Sequence, residues 1–178
     1  MMRLVLSLLL GLPVLTWAEE SPVIEGNPGW QHKEVARVVG YRFRLPSDGS
    51  TEPVKSGFTL LRGAALDTKT LAELSVKSVE LTEPQVKRLL NASFCMDKRM
   101  SPAACYDPHH IFVFYSVDGK PLNAIEVCFS CTGVAMLPNA GEPYWRRHDF
   151  AALARLTDEL GLWMESRTVE KYIKQQVE

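Results

Sequence analysis

The sequence lacks the patterns that announce most enzyme classes. It contains no Gly-x-Ser-x-Gly elbow, no His-Glu-x-x-His pair, no phosphate-binding P-loop and no Gly-x-Gly-x-x-Gly turn. Elbow-serine hydrolysis, zincin chemistry, P-loop phosphoryl transfer and dinucleotide binding are therefore without their signatures. Positive charge is not in excess either: 20 Lys and Arg stand against 21 Asp and Glu, a net charge of −1. Nothing in that balance would gather a polyanion, which argues against nucleic acid as a partner. No internal repeat or low-complexity tract is visible. The one long apolar run, Leu4 to Leu15, is interrupted by Gly11 and Pro13. It falls short of the about 20 apolar residues that cross a bilayer.

That run reads as a secretory leader. Arg3 precedes it, Thr16-Trp17-Ala18 follows, and the acidic pair Glu19-Glu20 comes next. These are the three parts of a cleavable signal peptide, with cleavage after Ala18. No cysteine near that point offers an acyl anchor. The expected product is soluble, periplasmic or secreted, with no integral membrane segment after cleavage. Residues 1–18 are thus signal peptide, and 19–32, holding Pro22, Gly26, Pro28 and Gly29, a flexible arm. Residues 33–178 suit a single domain.

Within that domain, Val35 to Leu45 is apolar at every second position from Val39 onward and predicts a half-buried strand. Pro46 to Ser50 is a turn cluster, and Phe58 to Leu61 a candidate returning strand. Ser75 to Leu81 is strand-like. Thr82 then opens a helix as N-cap, with Pro84 in the first turn and Gln85 placed for a capping box. Ile111 to Val117 is rich in β-branched and aromatic residues, Asp118-Gly119 signals a hairpin, and Leu122 to Phe129 returns. Asp149 caps a helix carrying Phe150, Leu153, Leu156 and Leu160, ended by Gly161, and a tail helix runs from Ser166 to Val177. Antiparallel hairpins with two or three helices make a small α+β domain.

Cys95, Cys105, His109, His110, Cys128 and Cys131 carry the chemistry. A two-residue loop at Asp118-Gly119 pairs positions summing to 237, with Cys128 opposite His109 and Cys131 opposite Tyr106. A three-residue loop moves the sum to 238. Either register gathers Cys105, the histidines, Cys128 and Cys131 at the open end of one hairpin. Three readings follow. In the first the cysteines form disulfides, either Cys105 with Cys131 and Cys95 with Cys128, or Cys95 with Cys105 and Cys128 with Cys131. In the second, Cys105, Cys128 and Cys131 hold a metal together with either His109 or His110, zinc being the ion that suits three thiolates and an imidazole. The third is a redox dithiol at Cys128-x-x-Cys131, although no helix start follows it to lower a thiol pKa. The run Trp145 to His148 reads as a solvated lead into the Phe150 helix, and Trp30 and Trp163 as packing residues.

The segments Cys105-Tyr106-x-Pro108-x-His110, Phe114-Tyr115, Gly119-Lys120-Pro121, Ile125 and Cys128-Phe129-x-Cys131 resemble a family of exported bacterial proteins of uncharacterised function. Phe150 to Leu162, ending Glu159-Leu160-Gly161-Leu162, is also similar to it. The resemblance implies that His110 rather than His109 has a shared role and leaves Cys95 outside the pattern. It implies no activity. The functional expectation is a non-catalytic binding or scaffold domain, stabilised by disulfide, for a protein or small-molecule partner. The rival is a metal or thiol-redox site at the hairpin end.

Overall fold

The computed structural model describes residues 34–44, 58–94, 106–138, 148–163 and 167–177. The leader, the arm and the turn at 46–50 lie outside them, as do Cys95, Cys105, Trp30 and Trp145. The strands are β1 (Val35–Phe43), β2 (Leu61–Arg62), β3 (Ala65–Leu66), β4 (Ser75–Glu80), β5 (His110–Ser116), β6 (Pro121–Cys128) and β7 (Gly133–Leu137). The helices are α1 (Thr68–Leu74), α2 (Glu83–Ser93), α3 (Phe150–Glu159) and α4 (Val169–Val177). Five strands form an antiparallel sheet in the order β4-β1-β5-β6-β7, and β2 with β3 makes a separate two-stranded sheet. The α+β class expected from the hairpins and helices is what the chain adopts.

Side chains alternate across a strand, so each central strand sends residues to both faces. Val38, Phe112, Phe114, Ile125 and Val127 face a helical layer carrying Leu89, Leu90, Leu153, Leu156 and Tyr172. Val39, Phe43, Ile111, Val113 and Ala124 meet Leu60, Leu66 and Leu71 on the other side. Every residue of β5 is buried, the reason its sequence is a continuous apolar run. For β1 this corrects the expectation of a half-buried strand, since Val38 and Val39 are buried on opposite faces. The segment from Phe58 does not return along β1 either. It leads into the β2–β3 pair, and β1 finds its partners in β4 and β5.

The helix starts follow their caps. Thr82 N–H donates to Gln85 Oε1 at 2.8 Å, completing the expected return bond at α2. Asp149 Oδ1 accepts from Ala152 N–H at 3.0 Å at the start of α3. Gly161, with φ of 63°, ends that helix. α1, which the sequence reading passed over, is seven residues long and is capped by Asp67, which accepts from Thr70 N–H.

The β5–β6 hairpin keeps the expected register through its body: His110 pairs with Val127 and Phe114 with Asn123, sums of 237. Its tip has the three residues of the second expected loop, but set one position earlier in the chain. Ser116 N–H donates to Lys120 O and Gly119 N–H to Ser116 O, enclosing Val117, Asp118 and Gly119. Gly119 has φ of 78°. This is a three-residue loop whose left-handed glycine adds a bulge, and a register shift between Phe114 and Tyr115 restores the main pairing. The larger departure is β7. The chain turns back after Cys128, so Cys131 belongs to a second hairpin and not to an extension of the first.

Candidate functional site

Cys128 ends β6 and pairs with Gly133 at the start of β7, leaving Phe129 to Thr132 as the loop between them. Within this loop Cys128 is disulfide-bonded to Cys131, with Cα atoms 5.7 Å apart. This corrects the Cys105–Cys131 bond suggested by extending the hairpin ladder, because the turn folds Cys131 back onto its own strand. It corrects with it the Cys95–Cys128 partnership. Both sulfur-bearing residues are buried. Asp107 N–H donates to Cys128 Sγ at 3.4 Å, and Ser130 Oγ lies 3.3 Å from the same sulfur. The bond occupies two of the four ligands foreseen for zinc. Among the described residues, no three His, Cys, Asp or Glu side chains come together as a metal would require.

His110 opens β5 on the helical face and is fully buried. Its Nε2 lies 2.9 Å from Leu162 O. A carbonyl only accepts, so the proton is on Nε2 and Nδ1 carries the lone pair. Nδ1 is buried without a hydrogen-bond partner. Burial pushes the imidazole pKa down to about 4 against the opposing pull of the Leu162 carbonyl, and His109 and Arg42 lower it further. A neutral ring results, set edge-on to Phe129 at 5.1 Å. His109 sits instead beside Asp107, Nε2 to Oδ2 at 3.8 Å. The residues beside His110 on neighbouring strands serve the same end of α3. Lys77 Nζ donates to Gly161 O at 2.8 Å, and Leu162 lies over Gly40, where a Cβ would come within 2.9 Å of Leu162 Cδ1.

Sequence reading missed the polar group on the opposite face. Glu126 is fully buried and accepts from Thr59 Oγ1 at 2.6 Å, Leu60 N–H at 2.8 Å and Tyr106 Oη at 3.1 Å. Burial raises its pKa, and those three donors oppose the rise. The Tyr106 hydroxyl is held in its neutral form, chiefly by burial and by the Glu126 charge. The Tyr106 ring also lies against Gly133, where a Cβ would meet it at 3.0 Å. A lone acidic residue among Ala124, Ile125, Val127 and Cys128 was the available signal, since a glutamate in a strand buried on both faces needs dedicated donors.

Neither a protein-family model, nor a curated protein, nor a solved structure matches the chain. The geometry alone therefore has to carry the functional reading. Cysteine, histidine and glutamate meet around the β6–β7 loop, yet on two sides of the sheet and each turned inward. Phe129 fills the space beside His110 on the helical side: its ring meets Phe150 at 6.3 Å, Trp163 at 5.1 Å and Tyr172 at 5.7 Å. Trp163 Nε1 donates to Arg167 O at 2.8 Å, in keeping with its expected packing role. No described helix is long and apolar enough to cross a membrane.

Proposed function

We propose that the chain is an exported, soluble, non-catalytic domain that binds a protein or small-molecule partner, and that its cysteine–histidine end is a structural fastener. Membership of the exported family it resembles, and a periplasmic or secreted location, belong to this proposal. The observation that carries it is the engagement of the reactive groups with one another. Cys128 is bonded to Cys131, and His110 is held neutral against a backbone carbonyl. An oxidising compartment is where such a bond persists.

The test is a thiol titration of unfolded, unreduced protein purified from the periplasm, together with elemental analysis. With Cys128 and Cys131 bonded, at most two of the four cysteines react, and no zinc accompanies the protein. Four reactive thiols with one equivalent of zinc would replace this reading with the metal site of Cys105, His110, Cys128 and Cys131.

A further inference from the structure

The loop that carries the disulfide is also where the C-terminal helix is fastened. α4 has nine residues, too few to persist as a helix in water without a surface to lie on. Among its described side chains, those of Val169 and Tyr172 are buried. The Tyr172 ring meets those of Phe129 at 5.7 Å and Trp163 at 5.4 Å, and the Arg167 guanidinium lies over it at 4.9 Å. Its hydroxyl donates to Phe129 O at 3.3 Å. Phe129 therefore supplies both a ring face and a carbonyl to the helix, and it is the residue directly after Cys128. The loop conformation is held at a cost, because Thr132, a β-branched residue, has φ of 50°. The covalent bond holds it closed.

We propose that the Cys128–Cys131 bond is a redox latch on α4: breaking it frees Phe129 from the ring cluster and undocks the helix, while the sheet and α2 stay folded. This rests on the reading of the bond as a fastener. The reductant is a dithiol. One of its thiolates attacks a sulfur of the pair, its second thiol resolves the mixed disulfide, and it departs oxidised. Two electrons and two protons are left on Cys128 and Cys131. Both cysteines are buried, so attack waits on opening of the loop. The reduced state has a partner ready, since the Cys128 sulfur lies 3.3 Å from Asp107 O and, once a thiol, can donate to it. Reduction therefore leaves the Cys128 thiol with an acceptor, and the latch can close again on oxidation.

Hydrogen exchange read by mass spectrometry on the exported chain tests this, before and after reduction with dithiothreitol and alkylation of the freed thiols. Amides of 169–177 should exchange at least about tenfold faster once the bond is cut, with those of 83–93 unchanged. A Tyr172→Phe chain left oxidised should show part of the same acceleration, because it loses only the hydroxyl that reaches Phe129 O. Unchanged exchange in 169–177 after cleavage would overturn the latch, and so would equal acceleration of both segments, which would mean general unfolding. Thiol titration of the same starting sample separates the two failures. If Cys128 and Cys131 are already free, the fastener reading falls. If they are bonded and α4 ignores their cleavage, only the latch falls.

Discussion

A proton arriving at His110 Nδ1 has to sit inside the molecule, beside Arg42 and His109, with no acceptor for it. The sign of the pH dependence follows. The folded-state pKa is about 4 against an ordinary 6.5, so the neutral ring contributes its full stability above pH 6.5. That contribution is lost as pH falls towards 4. The span corresponds to a destabilisation on the order of 3 kcal/mol. Glu126 has the opposite sign, for its raised pKa favours the folded chain below the ordinary glutamate value and works against it as pH rises through the folded value. In His110→Gln, where an amide can still donate to Leu162 O, urea unfolding between pH 4 and 6.5 should lose most of the acid sensitivity of the parent. An equally steep loss in both would show that His110 is not the group responsible. Gly40 offers a steric counterpart. Gly40→Ala puts a methyl within 2.9 Å of Leu162 and 3.0 Å of the Phe112 ring, and should cost about 1–3 kcal/mol in the same measurement. His110 stood out in the sequence as a histidine beside cysteine. Gly40 and Glu126 did not, because what gives each its meaning is a neighbour far along the chain.

The hairpins show at the scale of elements where pattern suffices and where it does not. β5 and β6 were legible because a run of six β-branched and aromatic residues, broken only by Ser116, led to Asp-Gly, and the register of their body came out as expected. β7 was not, since Gly133 to Leu137 is a short apolar stretch without alternation and its preceding turn contains neither Asn-Gly nor Asp-Gly. Missing that strand favoured Cys105 with Cys131 across the ladder over the other expected pairing, whose Cys128–Cys131 bond is the one that forms. With the bond between Cys128 and Cys131, the closed ring is small, and the chain-entropy relation gives about 2 kcal/mol rather than the ~3 kcal/mol of a bond spanning the hairpin. Cys128→Ser and Cys131→Ser should each lower stability by about that amount, and the double variant should be no worse than either single one. Additive losses in thermal melts would rule out a direct bond. At the first hairpin, nothing lies within 4 Å of a Cβ built on Gly119, so Gly119→Val tests backbone conformation alone. It should cost about 1–2 kcal/mol, against under about 1 kcal/mol for Lys120→Val, which gives up an exposed ion pair with Asp118.

Over the whole molecule, the α+β class and the helical cover of one face could be read from helix caps and apolar spacing. The second cover could not. β2 and β3 have two residues each and α1 has seven, lengths at which periodicity carries no signal. That layer is tied to the sheet by Glu126, which takes donors from residues 59, 60 and 106 at once. Glu126→Ala, which strands all three donors, should therefore destabilise more than Glu126→Gln, which keeps an oxygen for some of them. Equal midpoints in denaturant would show the carboxylate to be dispensable. The turn after α3 has a mechanical consequence. Lys77 on β4 and His110 on β5 hold its successive carbonyls, and Leu162 presses on Gly40 of β1 between them. Tension applied at the C-terminal end of the chain is thus shared by three adjacent strands at one cross-section. Once α4 has come away, the domain should give way there only when α3 tears from the sheet as a unit, so that a pull on the tail registers a small release followed by one large rupture.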